Sequence, residues 1–424
     1  MATRRSFLQG ILAGGVLGQG FNLTIMGDVM AKPTGEPIRI GHQCDLTGGI
    51  SSWGYWHDKA AKAAVEYLNQ TTGIAGRPVE LITEDTETNP PTGARKFRSL
   101  VQRSNADFVI GSVHSGVNLA TVPIARELQT VYIPQGMAAE MTEDKGNRYV
   151  FRVGSDTYSQ AAAGAEWANK NLGNDWTFVF ADYGWGWSHY KEHKTVLDKL
   201  GSKIHDPIAV PVDAKDLLPY LAKVPEDTKQ LYSIFFGSQS VALYTQSKSL
   251  GLDAKMNRYS VICTHESISP KDIGAASEGI YLLEYHPRMF KYKPTEHNRR
   301  LRALMKVDDV DGKEEGTSRI LAGSHYWAVW ESVFFIKKAV EKAGWQRKKD
   351  TPDFIKALEG MQVEESFEHP QGAKYIRPQD HKAVIDFYMS RIENGEIHVK
   401  NRIAAADLEK YFPPRVDLTK ETLS

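Results

Sequence analysis

Cysteine is almost missing from this chain of 424 residues: Cys44 and Cys263 are the only two. At most one bridge can form, so the fold does not rest on a disulfide framework. An excess of one charge sign is missing too. Lys plus Arg and Asp plus Glu each number 52, for a formal net charge of zero. A nucleic acid partner would need a basic face, and this balance does not suggest one. Long apolar runs are missing after residue 31. The longest candidate, Ile320–Ala343, carries His325, Glu331, Lys337, Lys338 and Glu341. It reads as a buried amphipathic helix rather than a membrane span. There is no short-period repeat, no low-complexity segment and no G-x-S-x-G elbow, and Gly184-Trp185-Gly186 lacks the third glycine of a dinucleotide loop. Asp308-Asp309-Val310-Asp311-Gly312 hints at a calcium loop, but Val307 and Ser318 occupy its first and last ligand places. A solvated acidic loop is the better reading.

What is present begins at the N-terminus. Thr3-Arg4-Arg5-Ser6-Phe7-Leu8 precedes a short, glycine-rich apolar run from Ile11 to Leu17, and Val29-Met30-Ala31 follows. Charge, apolar run and small-residue site in that order read as a twin-arginine export signal over 1–31. Gln9 stands where such signals often carry Lys, which weakens the choice of export route but not export itself. The expected location is the periplasm, where ATP and NAD(P)H are absent, so no cofactor is expected.

The remainder is large for one core and natural for two. Short apolar runs alternate with helix-length amphipathic segments. Strands are expected at Ile38–His42, Val79–Thr83, Phe108–Gly111 and Val131–Pro134, with helices at Gly54–Gln70, Pro91–Arg103 and Val117–Leu128 between them. A second series follows: helix Ser159–Asn171, strand Thr177–Ala181, helix Trp187–Leu200, strand Ile204–Val210, helix Leu217–Ala222, strand Tyr232–Phe236, helix Val241–Leu250 and strand Tyr259–Cys263. This order implies an α/β fold of parallel sheets covered by helices. Such sheets bind ligands at the carboxyl ends of their strands. The residues there include Trp53, Ser112-Val113-His114-Ser115, Gln135-Gly136-Met137-Ala138, Tyr183-Gly184-Trp185, Gly237-Ser238-Gln239 and Thr264-His265-Glu266. Aromatics with hydroxyls, histidines and one carboxylate suit a small, partly apolar molecule.

Asp45-Leu46-Thr47-Gly48, Gly73-Ile74-Ala75-Gly76-Arg77-Pro78-Val79, Glu84-Asp85, Asn89-Pro90, Pro123-Ile124-Ala125, Phe151-Arg152 and Tyr183-Gly184-Trp185-Gly186 follow one another at informative spacing. As an ordered set they resemble the periplasmic solute-binding proteins of branched-chain amino acid and amide ABC transporters. The resemblance implies a type I periplasmic-binding-protein fold with two doubly wound parallel-sheet lobes. Lobe 1 would span 38–152 and 286–378, and lobe 2 would span 153–285 and 382–424. Three crossovers would fall near Arg152–Gly154, Tyr285–Pro287 and Gln379–His381. It also implies a monomer that closes on its ligand and docks on a membrane ABC permease, with no catalytic residue and no metal.

Residue by residue, Ser115 matches a serine that holds the ligand carboxylate, and Gly136 a position whose carbonyl accepts from the ligand amine. Tyr183 matches an aromatic cover, Glu266 a partner of the ligand ammonium, and Gln239 a polar contact. Met137-Ala138 replaces a family hydroxyl after Gly136, and Asp45 replaces a proline before Leu46. Trp53, Trp56, His114, Trp185 and Trp187 add more aromatic surface than leucine needs. Two ligand classes stay open: an aromatic or apolar carboxylate held by Ser115, His114 and helix ends, or an amide or cationic amine held by aromatic faces and Glu266. A bridge between Cys44 and Cys263 would clamp the cleft, so two free thiols are expected.

Two rival functions share this sequence. One is a ligand-sensing subunit with the same pocket. The other is a zinc hydrolase using His189, Glu192 and His193, which match H-x-x-E-H. That chemistry needs a distant third ligand, which nothing singles out, and the expected context is an exposed surface helix.

Overall fold

A computed structural model describes residues 32–321 and 325–423. The export signal read over 1–31 lies outside the described residues. The first sheet is built from β1 (Ile38–Cys44), β2 (Val79–Asp85), β3 (Phe108–Gly111) and β4 (Val131–Ile133), in the order β2-β1-β3-β4 and parallel throughout. Between the strands run α1 (Ser51–Gln70), α2 (Pro90–Gln102) and α3 (Ser115–Glu127). Local chemistry sets their starts. Asn89 accepts from the Thr92 amide ahead of α2, with Pro90 at the first helical position, and the His114 ring accepts from the Val117 amide ahead of α3. The apolar stripe of α1, including Trp53, Trp56, Ala60, Ala64 and Leu68, is buried. A fully buried aromatic such as Trp56 contributes roughly 2–3 kcal/mol through area removed from water.

The second sheet collects β5 (Asp175–Ala181), β6 (Lys203–Ile204), β7 (Ile208–Val210), β8 (Gln230–Ile234), β9 (Asn257–Val261) and β10 (Tyr281–Glu284). Helices α4 (Thr157–Leu172) and α5 (Gly184–Lys199) flank β5 in the chain. Asp156 and Ser159 form a capping box at the start of α4. After β10 the chain returns to the first sheet, where helix Tyr326–Ala343 packs on α1 and β3. A small antiparallel sheet of β11 (Gln362–Val363), β12 (Lys374–Ile376) and β13 (Ala383–Val384) follows. The chain then rejoins the second sheet through β14 (Phe387–Glu393) and β15 (Glu396–Ile403).

Three differences from the sequence-based expectation have local causes. The second sheet is not wholly parallel: β14 lies antiparallel to β10 and to β15. Asn394 and Gly395, both at positive φ, turn the β14–β15 hairpin, as an Asn-Gly pair between alternating strands does. The strand expected over Ile204–Val210 is two strands, β6 and β7, on either side of Pro207. Proline has no amide hydrogen to give a ladder and disfavours regular backbone before it. The long apolar helix begins at Tyr326, not Ile320, because Ile320 bridges back to Lys313 in the preceding loop. No helix among the described residues is long and apolar enough to cross a membrane.

Candidate functional site

The carboxyl ends of β1, β3 and β4 and those of β5, β8 and β9 supply loops to one cavity. Asp45 shapes the first-sheet side. Its buried carboxylate accepts from Ser112 Oγ (2.6 Å), the Val113 amide (2.8 Å), the His114 amide (3.3 Å) and Thr86 Oγ1. The loop after β1 is thereby tied to the loop after β3, which accounts for the acid where the family carries proline. Ser115 opens α3 at the cavity wall. Its Oγ accepts from the amides of Met137 and Ala138, each at 3.3 Å, so its hydroxyl hydrogen is left to donate into the cavity.

Of the other site residues expected from sequence, Trp53, Tyr183 and Trp185 reach the wall. Trp53 meets Phe236 edge-on at 6.3 Å, so a first-sheet helix touches the loop after β8, and Tyr183 meets the same ring at 5.6 Å. Trp185 is buried, and its indole Nε1 has no hydrogen-bond partner among the described residues.

The remaining expected residues do other work. The carbonyl of Gly136, expected to accept from a ligand amine, accepts from the buried guanidinium of Arg152, which also holds the Ala138 carbonyl at 2.9 Å. Both residues lie behind the wall. A Cβ at position 136 would stand 1.9 Å from Asn118 Oδ1, so only glycine fits there. His114, expected on the ligand anion, caps α3 through Nδ1 (3.2 Å to the Val117 amide) and stacks on Tyr183 with ring centroids 5.4 Å apart. Burial lowers its pKa against the opposing pull of Asp45. Gln239 donates to the carbonyls of Pro211 and Ala214, both at 2.9 Å, and so braces the loop after β7. Glu266 is buried and does not reach the wall.

Val113 and Met137, in the strand-end loops named from sequence, also line the wall, whereas sequence reasoning missed Ile50, Phe236, Cys263 and His325. Phe236 and Cys263 lie within two residues of the ends of β8 and β9, so the strand-end rule reaches them. His325 arrives from the long helix that returns to the first sheet, and no local pattern marks it. Burial, aided by the charge of Arg152, takes its pKa down to about 3, so it is neutral near pH 7. The described wall therefore holds aromatic and aliphatic surface, neutral hydrogen-bonding groups and no carboxylate, lysine or arginine. Cys44 and Cys263 are both buried and are not joined in a disulfide.

The H-x-x-E-H segment is not an exposed surface. His189, Glu192 and His193 are all fully buried on α5. The four-residue spacing puts both histidines on one face, and that face turns to the sheet. His189 Nδ1 lies 3.0 Å from Tyr232 Oη, His193 Nδ1 lies 2.9 Å from the His189 carbonyl, and Arg415 donates to Glu192 at 2.7 Å. The metal-sized cluster among the described residues lies elsewhere, at Asp175, His205 and Asp227, and it already receives the Lys203 ammonium at 3.0 Å from Asp175.

Two α/β sheets that present their strand ends to an aromatic-walled cavity, with no charged side chain on its wall among the described residues, suit a small solute rather than a polymer. The chain belongs to the periplasmic binding protein family, which matches residues 37–396. Family membership assigns it to the periplasm as a solute-binding protein. It is similar to the leucine-, isoleucine-, valine-, threonine- and alanine-binding protein of Pseudomonas aeruginosa, with 24% identity over 359 residues, 82% of this chain and 88% of that one. In structure it is similar to an ABC-transporter solute-binding protein of Rhodopseudomonas palustris in complex with 3,4-dihydroxybenzoic acid. The TM-score is 0.74 at 20% identity, covering 87% of this chain and 98% of that one. A leucine-binding protein of Thermotoga maritima gives a TM-score of 0.70 at 20% identity, covering 88% of this chain and 100% of that one.

Proposed function

We propose that this chain is the receptor of an ABC importer for a small carboxylate with an apolar, aromatic body. The observation that carries the reading is the placement of Ser115. A hydroxyl with its acceptor sites filled opens a helix N-terminus in a cavity that has no charged side chain on its wall among the described residues. Helix N-termini and oriented donors stabilise an anion. No wall carboxylate pairs with an ammonium, and Met137-Ala138 brings no hydroxyl to an amino-acid head group. Trp53, Tyr183, Trp185 and Phe236 instead offer faces and edges to a ring. Binding of 3,4-dihydroxybenzoic acid and of benzoate by structural neighbours from Rhodopseudomonas palustris supports the same class.

The two sheets would belong to two lobes, 38–152 with 286–378 and 153–285 with 382–424, that close on the solute and present the closed form to the permease. Residues 1–31 would export the chain by the twin-arginine route. Ligand-induced thermal shifts of the protein, scanned over benzoate, 4-hydroxybenzoate, benzamide and leucine, test the reading. Benzoates are expected to raise the midpoint and leucine to leave it in place. A shift with leucine and none with any benzoate would overturn the aromatic-acid assignment.

A further inference from the structure

Two helices begin at this cavity, one from each sheet. Ser115 is the first residue of α3, which follows β3, and Trp185 is the second residue of α5, which follows β5. At 13 and 16 residues both carry full N-terminal partial charges, and their first amides have no partner within the helix. Tyr183, at the cap of α5, makes no side-chain capping bond. The two helix starts flank one short segment: Ser115 Oγ accepts from the Ala138 amide at 3.3 Å, and Ser188 Oγ, one turn beyond Trp185, accepts from the Ala139 amide at 3.3 Å. The indole of Trp185 is 5% exposed and lines the cavity, and its Nε1 has no partner among the described residues. A buried donor left without an acceptor is uncommon and calls for a reason.

Resting on the carboxylate reading above, we infer that the Trp185 indole N–H is the second donor to the solute carboxylate, opposite the Ser115 hydroxyl. The carboxylate then joins donors from both sheets, and the charge of the solute holds the cleft closed. Specificity follows from the chemistry. A carboxylate accepts from both donors at once, in charge-assisted bonds stronger than neutral ones. A neutral amide of the same shape presents one oxygen and an NH2 group that confronts a second donor, so it binds one half of the site at the expense of the other.

The test pairs calorimetry with the indole resonances of the nitrogen-15-labelled protein, using benzoate and benzamide as probes. The Trp185 signal is the one that vanishes in Trp185→Phe, a change that keeps a ring and removes the N–H. Benzoate is expected to move that signal downfield, and Trp185→Phe to weaken benzoate by about tenfold or more, as loss of a bond to a charged group does. Benzamide affinity is expected to change far less. If benzoate binds the unaltered protein while the Trp185 signal stays in place, or if benzoate and benzamide weaken equally in Trp185→Phe, the role of the indole is overturned and the carboxylate reading stands. If benzoate fails to bind the unaltered protein, both fall together.

Discussion

Ser115 shows how backbone geometry assigns a role to a small side chain. A serine hydroxyl is free to donate or accept. The Met137 and Ala138 amides occupy its acceptor side and leave donation into the cavity. Ser115→Ala is therefore expected to weaken benzoate by about 10- to 100-fold in calorimetry, the range for a hydrogen bond to a charged group. It also leaves two amides without an acceptor, so a modest fall in melting midpoint accompanies it. Gly136 and His114 teach the complementary lesson. Both stand next to cavity-lining positions in sequence, yet Arg152 takes the carbonyl of the first and the start of α3 takes the ring nitrogen of the second.

At the scale of elements, α5 joins the site to the core. Its start carries Trp185 to the cavity, while its second and third turns bury His189 and His193 against Tyr232. Burial lowers the pKa of His193 to about 3, from an ordinary value near 6.5. His42 on β1 falls to about 4 for the same reason. A folded value below the unfolded one means that the unfolded chain takes up the proton first as pH falls. The contribution of these groups is complete above about pH 6.5 and is lost on the way down to their folded values. The loss runs at up to about 1.4 kcal/mol per pH unit for each histidine. Urea unfolding at pH 7 and pH 5 is expected to show the weaker fold at pH 5, and His193→Gln to flatten that difference. An unchanged slope in His193→Gln would assign the acid sensitivity to other groups.

Across the whole molecule, the last dozen residues act as a strap. Arg415 lies over the Tyr158 ring at 3.5 Å and pairs with Glu192 of α5 at 2.7 Å and with Glu143 at 3.2 Å. Further along, Glu421 pairs with Arg126 of α3 at 2.7 Å. The strap thus touches a helix that follows a first-sheet strand and one that follows a second-sheet strand. Removing a partner from a buried carboxylate costs several kcal/mol when both ions are enclosed. Arg415 is partly exposed, so Arg415→Ala is expected to cost about 2 kcal/mol in urea unfolding. Adding Glu192→Gln is expected to restore part of that loss. Absence of any restoration would place the effect in the aromatic contact instead.

Local pattern determined the alternation of strands and helices and pointed to the strand-end loops, where Trp53, Ser115, Tyr183 and Trp185 line the cavity; the family resemblance added the expected roles of Ser115 and Tyr183. Periodicity, caps and breakers are properties of neighbouring residues, so they are legible in one dimension, and the Asn394-Gly395 turn is legible in the same way. Tertiary structure alone decided which loop side chains face inward. Gln239 turns to Pro211 and Ala214, Glu266 stays behind the wall, and His325 enters from a helix distant in sequence. It also turned the H-x-x-E-H face of α5 toward the sheet. The direction of a loop side chain is set by partners far along the chain, such as Asp45 with Ser112 or Arg152 with Gly136. No local spacing encodes those contacts.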